Sequence, residues 1–433
     1  MTTKARKINL KVPFVTRLEG EGALELTTKG NDIDKLHLKI FEPPRLFESF
    51  LQGKSYKDVP DLSARICGIC PMAYQLTSIQ AMETLFGVQL PEHIIRLRRL
   101  MNLGEWLQSH ALHIHFLAAP DIYGFDSALQ MAGEYPEFLQ RGMLIQEAGN
   151  SLMTLLGGRS VHPVGLQVGG FTKLPNAEKW LHCLTLVEHA LPAAKQLVKW
   201  SSELELPDYS HDFLCVSLKG EKAFPINSGD IQISNGLVIT PAQYPEHFKE
   251  HQTRHSTAFY SLLDGHDYLV GPLARMNNSF HLLHEDVKQV AKEYGLKFPN
   301  QNMHTSIQAR ALECFSALHE SLGILQQGLP EGEANVAYDI KAGECHFCTE
   351  APRGLIYHYY DLDDEGKVLK CSIIPPTSQN QARIEKDLHF SVKQFGLDKS
   401  DKELKYFCER IIRNYDPCIS CSTHFLDFKR IQK

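Results

Sequence analysis

Two Cys-x-x-Cys pairs, one near each end of the chain, constrain the fold more than any other feature of this sequence. The first pair is Cys67–Cys70 and the second is Cys418–Cys421. Asp416 and Pro417 precede the second pair, and His424 follows it. If the two pairs meet, four thiolates converge on one point, and such soft ligand sets select zinc, copper(I), iron–sulfur clusters, or nickel and iron. The sequence therefore predicts a metal site built from both ends of the chain.

Composition limits the class of protein. The 433 residues are 43% hydrophobic and 22% charged, which is ordinary for a globular enzyme with a substantial core. A net charge of −6 gives no basic surface for nucleic acid. No apolar run approaches the roughly 18 residues of a transmembrane helix, and the N-terminus lacks the apolar stretch of a signal peptide. Eleven cysteines, partly clustered in pairs, fit a reducing compartment. We therefore expect a cytoplasmic protein that neither binds nucleic acid nor spans a membrane.

Hydrophobic patterning predicts a helix-dominated α+β fold that forms one unit over residues 1–433. Alternating apolar residues predict a β meander over about 7–42. A helical core is expected over about 71–330, with Pro192 kinking one helix and a β-rich insertion at about 211–272. The predicted helices lie at about 71–87, 92–118, 137–156, 177–204, 285–295 and 303–327.

Hairpins and a capped helix are predicted in the insertion and in the last part of the chain. Asn235-Gly236 predicts a hairpin with a two-residue turn inside the insertion. A second hairpin is expected between Leu355 and Ile374, within a C-terminal region, about 345–424, that ends in the cysteine loop. Ser400 and Glu403 form a capping box, which predicts a final helix from 400 to about 414.

A structural zinc site is the simplest alternative for two Cys-x-x-Cys pairs. Such sites are usually compact local modules, however, and they need neither an Asp-Pro before one pair nor a histidine after it. A third pair, Cys345–Cys348, has no second pair nearby in sequence. We expect these two cysteines to be free thiols, with a second metal site as the alternative.

Five segments together resemble the large, catalytic subunit of [NiFe]-hydrogenases. They follow the order of that family and extend over nearly the whole chain. The segments are R-x-E-G at 17–20, R-x-C-G-x-C at 65–70, E-A-P-R-G at 350–354, P-T-x-x-N at 376–380 and D-P-C-x-x-C-x-x-H at 416–424. The resemblance implies a central bundle of long helices with small peripheral sheets, and reversible cleavage of H2 into protons and electrons.

The same resemblance implies a set of cofactor ligands. Cys67, Cys70, Cys418 and Cys421 would hold nickel, with Cys70 and Cys421 also bridging to an iron that carries cyanide and carbonyl, a Ni-Fe(CN)2(CO) centre. Around this centre, three further groups of residues would act. Arg353, Pro376 and Thr377 would contact the diatomic ligands, Asp121 and Asp416 would orient Arg353, and Glu19 would relay the proton that Cys418 accepts first.

A second, hard cation is also implied. Glu48, the backbone near Ile373 and His424 would bind Mg2+ or Fe2+. Two positions depart from the pattern common in the family. Tyr74 stands where many members have histidine, four residues after the second cysteine of the first pair, and Glu21 replaces a histidine after R-x-E-G.

Partner proteins follow from the same resemblance, because apart from the four cysteines assigned to nickel the chain has none arranged for an iron–sulfur cluster. A small subunit with iron–sulfur clusters is required. Features such as the short meander resemble the branch that passes electrons to NAD(P) through diaphorase subunits with FAD and clusters. Nickel-insertion proteins and a maturation protease that removes residues 425–433 are also expected. Alternatives are a deazaflavin- or ferredoxin-linked enzyme, an H2 sensor, or a cofactor-free electron-transfer scaffold like the quinone-reducing subunit of respiratory complex I.

Overall fold

Long helices form the centre of the fold. The structure, a computed structural model, describes residues 7–30 and 32–423. Its α-helices are α1 Phe47–Leu51, α2 Val59–Ala64, α3 Pro71–Phe86, α4 Glu92–Leu112, α5 Ala119–Tyr123, α6 Ala128–Met131, α7 Pro136–Gly157, α8 Ala177–Ser202, α9 Tyr244–His247, α10 Pro272–Ser279, α11 Glu285–Glu293, α12 Ser306–Gln326, α13 Pro376–Phe395 and α14 Asp401–Asn414. The predicted long helices are confirmed, and helix α8 continues through Pro192.

Helices α4, α7, α8 and α12 pack against one another as a bundle. Helices α4 and α7 approach closely at Gly104 and Gly149. A methyl group on Gly149 would lie 2.5 Å from the carbonyl oxygen of Gly104, so only glycine permits this contact. Helix α4 passes into a π-helical turn, His113–Ala118, which completes the helix predicted over 92–118. Among the described residues, no helix is both long and apolar enough to cross a membrane.

Short strands lie around the bundle. They are β1 Asn9–Val12, β2 Gly22–Lys29, β3 Asp32–Ile40, β4 Leu166–Gln167, β5 Gly170–Phe171, β6 Leu214–Leu218, β7 Ile231–Ile233, β8 Val238–Ile239, β9 Phe248–Gln252, β10 Phe259–Leu263, β11 Tyr268–Leu269, β12 Gly343–Ala351, β13 Gly354–Leu362 and β14 Val368–Ile374. The sheets are β1-β2-β3, β4-β5, β11-β6-β7-β8, β9-β10 and β12-β13-β14, and β11 runs parallel to β6. The predicted meander and the β-rich insertion are confirmed.

Two hairpins differ in detail from the predictions. Between β7 and β8 the N–H of Ile233 donates to the Leu237 carbonyl at 2.9 Å, so the turn that this bond closes has three residues, 234–236; the predicted two-residue turn is wrong. The hairpin β13-β14 is confirmed, but a third strand, β12, pairs with it. Cys345 and Cys348 both lie on β12, three residues apart. Side chains three apart on a strand point to opposite faces, so this pair cannot chelate one ion, and both cysteines are buried free thiols.

Candidate metal centre

The two Cys-x-x-Cys pairs meet in the interior. Cys67–Cys70 lies in the loop between α2 and α3, and Cys418–Cys421 lies in the loop that follows α14. The sulfur atoms of Cys67 and Cys418 are 3.6 Å apart, those of Cys67 and Cys70 are 3.0 Å apart, and those of Cys418 and Cys421 are 2.6 Å apart. All four cysteine side chains are buried. The convergence predicted from the sequence is therefore present in the structure.

Ionisation of these thiols is unequal. Burial opposes ionisation of Cys67, but hydrogen bonds from the neighbouring thiols outweigh it and hold the pKa of Cys67 well below its usual value. The backbone N–H groups of Ile69 and Cys70 also point at the Cys67 sulfur, at 3.3 and 3.2 Å. Burial instead raises the pKa of Cys418 and Cys421. Four thiolates in so small a volume require a cation to balance their charge, and soft thiolates suit nickel, iron or zinc.

Arg45 joins the two cysteine segments. Its guanidinium donates to the carbonyl oxygens of Ile66, at 2.7 Å, and of Ser420. Its backbone N–H donates to the carbonyl of Thr423 at 2.8 Å. One side chain thus fixes the distance between residues that precede the first pair and residues within the second. Arg45 had no role predicted from the sequence, although it lies only three residues before Glu48.

Arg353 lies in the tight turn between β12 and β13. Its Nε donates to the carbonyl oxygen of Asp416 at 2.7 Å, and its Nη2 donates to the Asp416 carboxylate at 3.1 Å. The third nitrogen, Nη1, is buried and has no hydrogen-bond partner among residues 7–30 and 32–423. A buried guanidinium nitrogen is costly without an acceptor. The cluster therefore offers one donor to a small ligand.

Thr377 is placed beside Cys418 by the start of α13. Pro376 occupies the first position of this helix, where its missing N–H costs nothing. The backbone N–H of Cys418 donates to the Thr377 hydroxyl oxygen at 3.0 Å. The predicted residues Pro376 and Thr377 therefore lie at the thiol cluster.

Glu19, in the R-x-E-G segment, contacts the thiol of Cys418. The Cys418 thiol donates to Oε2 of Glu19 at 3.0 Å, and the backbone N–H of Ser420 donates to the same oxygen at 3.2 Å. The N–H of Ile419 also donates to the Glu19 carbonyl at 3.0 Å. The next residue, Gly20, must be glycine, since its φ is +84° and a methyl group there would lie 2.5 Å from a Glu42 oxygen. The R-x-E-G segment is thus shaped to hold a carboxylate against a thiol.

Glu48 lies next to β14. The backbone N–H of Ile373 donates to its carboxylate at 2.7 Å, so two of the three predicted members of the hard-cation site meet. Burial raises the pKa of Glu48 to about 7. A bound cation would offset this cost by favouring the carboxylate. His424, the third predicted member, lies outside the described residues.

Asp121 does not orient Arg353, contrary to the prediction from the sequence. Its carboxylate accepts hydrogen bonds from Arg413, at 2.5 and 2.8 Å, and from Arg17. These two arginines hold the ends of the segments that carry Asp416 and Glu19. Of the two aspartates predicted to orient Arg353, only Asp416 contacts it, and Asp121 contacts the segments that lead to Asp416 and Glu19. Sequence spacing could not distinguish among the three arginines.

Two buried side chains, Glu105 and Tyr74, lie near the first cysteine pair. Glu105 accepts the N–H groups of Met72 and Ala73, at 2.7 and 3.1 Å, and so caps α3 directly after Cys70. The sequence signal for this capping role is that Glu105, a carboxylate, stands among the apolar positions of α4. Tyr74, which departs from the usual family residue, has a buried hydroxyl without a hydrogen-bond partner in the described part of the chain.

Known proteins match this chain over nearly its full length. Residues 45–137 and 239–424 match the family described as nickel-dependent hydrogenase. This chain belongs to that family. A free guanidinium nitrogen beside four thiols fits the family's nickel–iron centre, because the thiols supply soft ligands and Arg353 supplies a donor.

Three named relatives align with almost the entire chain. The alpha subunit of sulfhydrogenase 2 from Pyrococcus furiosus is 32% identical over 95% of this chain and 98% of its own length. The alpha subunit of sulfhydrogenase 1 from the same organism is 30% identical over 96% and 97%. The corresponding vhc subunit of the F420-non-reducing hydrogenase from Methanococcus voltae is 29% identical over 96% and 94%.

A solved structure agrees with these relatives. The NAD+-reducing [NiFe]-hydrogenase in its H2-reduced state superposes with a TM-score of 0.86 at 25% identity, covering 98% of this chain and 100% of that chain. The helix-dominated hydrogenase fold is therefore confirmed. The chain is the catalytic large subunit of a nickel–iron hydrogenase. Its relatives are alpha subunits of multisubunit hydrogenases, which implies a small-subunit partner.

Proposed function

We propose that this protein takes part in H2 oxidation or production coupled to NAD(P), with the four thiols of Cys67, Cys70, Cys418 and Cys421 as ligands of the nickel–iron centre. When bound, that centre supplies heterolytic cleavage of H2. The separations of 2.6–3.6 Å between neighbouring sulfur atoms support one metal site shared by the four thiols. This convergence is the observation on which the ligand assignment rests.

Cys418 and Glu19 form the first step of the proton route. The thiol already donates to the carboxylate at 3.0 Å, which is a distance suited to proton transfer. During H2 oxidation the proton passes from the Cys418 sulfur to Glu19 Oε2, and in the reverse reaction it returns. The N–H of Ser420 keeps Oε2 in position throughout.

Arg353 and Thr377 shape the space above the thiols. Asp416 fixes two guanidinium nitrogens, and the remaining donor is available to a cyanide or carbonyl ligand. Thr377, held at the start of α13 by Pro376, bonds the backbone of Cys418 and limits its movement. These contacts orient a small ligand without taking part in the redox step.

Glu48, the backbone at Ile373 and His424 form the proposed Mg2+ or Fe2+ site. The contact between Glu48 and Ile373 supports two of the three members. Nickel-insertion proteins and removal of residues 425–433 by a protease belong to the same proposal. Intact mass spectrometry of the active protein tests the second point, since an active chain that ends at Lys433 would contradict it.

Coupling to NAD(P) rests on the structural likeness to the NAD+-reducing enzyme, at a TM-score of 0.86. It requires a small subunit with iron–sulfur clusters and diaphorase subunits with FAD, in a cytoplasmic complex. The test is H2-dependent reduction by the purified complex, with NAD+, NADP+, a deazaflavin and ferredoxin as separate acceptors. Reduction of NAD+ or NADP+ is expected, and reduction of only the other acceptors would contradict the coupling.

A second candidate function is sulfur reduction. Of the relatives named above, the two with the higher identity are sulfhydrogenases, and one is 32% identical along almost the whole chain. Adding polysulfide to the same acceptor series separates the two candidates. Production of hydrogen sulfide from H2 and polysulfide without reduction of NAD(P) would favour this second function.

A further inference from the structure

Two histidines and a glutamate from distant parts of the chain meet at the surface, away from the cysteines. His37 lies on β3, His255 lies in the loop between β9 and β10, and Glu385 lies on α13. Their side chains are 32%, 19% and 18% exposed, so all three are half-buried yet reachable from solvent. Glu385 lies eight residues after Thr377, which places it about 12 Å farther along α13.

The spacing of their atoms suits a metal ion. His255 Nε2 lies 2.9 Å from Glu385 Oε1, and His37 Nδ1 lies 3.8 Å from the same oxygen. One ligand atom from each residue lies within 4.8 Å of the other two. A tetrahedral zinc ion with bonds of about 2.0–2.1 Å separates its ligand atoms by about 3.4 Å. The observed distances lie on either side of this value.

One nitrogen in the cluster lacks a hydrogen bond. His37 Nδ1 is buried and has no hydrogen-bond partner among the residues that the structure describes. The two imidazole rings stack with centroids 4.0 Å apart, so neither ring donates to the other in its plane. A cation would satisfy the His37 nitrogen and replace the proton between His255 and Glu385.

The carboxylate is held by groups outside the cluster. Glu385 Oε1 accepts the backbone N–H of Leu38 at 3.0 Å and the hydroxyl of Tyr260 at 3.1 Å. Outer contacts of this kind fix ligand orientation in metal sites. A cavity of about 630 Å³, lined in part by His37, Glu385 and His389, opens beside the three side chains. Solvent or a further ligand therefore has room at a fourth position.

We propose that His37, His255 and Glu385 bind one divalent cation of the class that prefers imidazole and carboxylate ligands, such as Zn2+ or Ni2+. The ion would join the N-terminal meander, the β9–β10 loop and α13. This site is separate from the four thiols and does not depend on the electron acceptor of the enzyme. Imidazole and carboxylate donors distinguish it from a thiolate site.

A second cluster provides a matched control. His284, Asp286 and His319 also lie within 4.8 Å of one another, but His284 and Asp286 are 62% and 67% exposed. Side chains that move freely in solvent lose more conformational freedom on binding, so this cluster should bind a cation more weakly. Histidine-to-alanine changes in the two clusters therefore remove the same chemical group from sites of different rigidity.

The experiment is a Co2+ titration of the purified, matured hydrogenase complex, followed by visible absorption of the cobalt ion. Wild-type protein should bind one Co2+ tightly, with a spectrum typical of nitrogen and oxygen ligands. His37→Ala and Glu385→Gln should each weaken this binding at least about tenfold. His319→Ala should leave it unchanged, and hydrogenase activity with a dye acceptor confirms that each variant is folded.

Two results would overturn the proposal. One is equal Co2+ affinity in wild-type protein and His37→Ala. The other is loss of the tight site in His319→Ala but not in His37→Ala, which would assign the ion to the exposed cluster.

Discussion

At the scale of single residues, Cys418 lies between a hydroxyl and a carboxylate that come from distant parts of the chain. Thr377 accepts its backbone N–H, and Glu19 accepts its thiol proton. The first contact holds the backbone of Cys418, and the second directs its thiol hydrogen toward Glu19. Cys418 therefore differs in its contacts from Cys67, whose sulfur accepts hydrogen bonds from two backbone N–H groups.

Replacing Glu19 with glutamine should stop proton transfer while keeping the shape of the side chain. We expect H2 oxidation with a dye acceptor to fall by about 10²-fold or more, because a positioned base contributes about that factor. Nickel and iron contents should stay at wild-type levels. Glu21→Gln is the matched control, since Glu21 is exposed and only two residues away. Equal loss in both variants would contradict the proton route.

At the scale of elements, the centre depends on contacts between loops rather than on any single element. The R-x-E-G loop pairs with the C-terminal cysteine loop through Glu19 and Cys418, and Arg45 joins that loop to the segment before α3. Helices α3, α13 and α14 provide the fixed ends from which these loops start. A change in one loop should therefore alter the geometry of a cysteine far away in sequence.

Gly20→Ala tests this dependence. A methyl group would lie 2.5 Å from a Glu42 oxygen and 2.8 Å from the Ile419 side chain, at a φ of +84°. We expect the free energy of unfolding to fall by about 1–3 kcal/mol, and the activity to fall with it. Gly30→Ala is the control, because Gly30 has a φ of +67° but nothing within 4 Å. A similar loss of activity in both variants would mean that the positive φ, and not the steric contact with Glu42 and Ile419, causes the loss.

The sequence was sufficient to predict that the four cysteines meet and to predict most elements, but not to predict the partners of charged groups. The short segments shared with the family predicted the meeting of Cys67 with Cys418 and of Glu48 with Ile373. Asp121, in contrast, had three candidate arginines. It bonds Arg17 and also Arg413, which lies at the end of α14 where that helix packs against the π-helical turn, and it does not bond Arg353. Strand β12 was missed because its apolar alternation is interrupted by charged residues and by the Cys-x-x-Cys pattern.

At the scale of the whole molecule, buried neutral histidines link stability to pH. Burial lowers the pKa of His113 and His115 to about 3 and that of His304 to about 4. In the unfolded chain each has a pKa of about 6.5. As pH falls below that value, the unfolded state binds protons that the folded state does not. The free energy of unfolding should therefore fall by about 2 kcal/mol per histidine at pH 5.

His115→Gln should reduce this dependence. The measurement is the midpoint of thermal unfolding of the complex between pH 7 and pH 5, for wild-type protein and for the variant. The decline with acidification should be shallower in His115→Gln, whatever its stability at pH 7. His189→Gln, which changes an exposed histidine on α8, should show the wild-type slope. If the midpoint of thermal unfolding falls equally steeply with pH in His115→Gln and in wild-type protein, His115 does not contribute to the pH dependence of stability.

The most direct measurement of the central claim is an infrared spectrum of the purified complex where metal-bound carbonyl and cyanide absorb, with nickel and iron measured on the same sample. The four-thiol site with Arg353 as a donor predicts carbonyl and cyanide bands together with nickel and iron. Zinc without such bands, in protein produced with matching maturation proteins, would contradict the assignment of Cys67, Cys70, Cys418 and Cys421 to a nickel–iron centre.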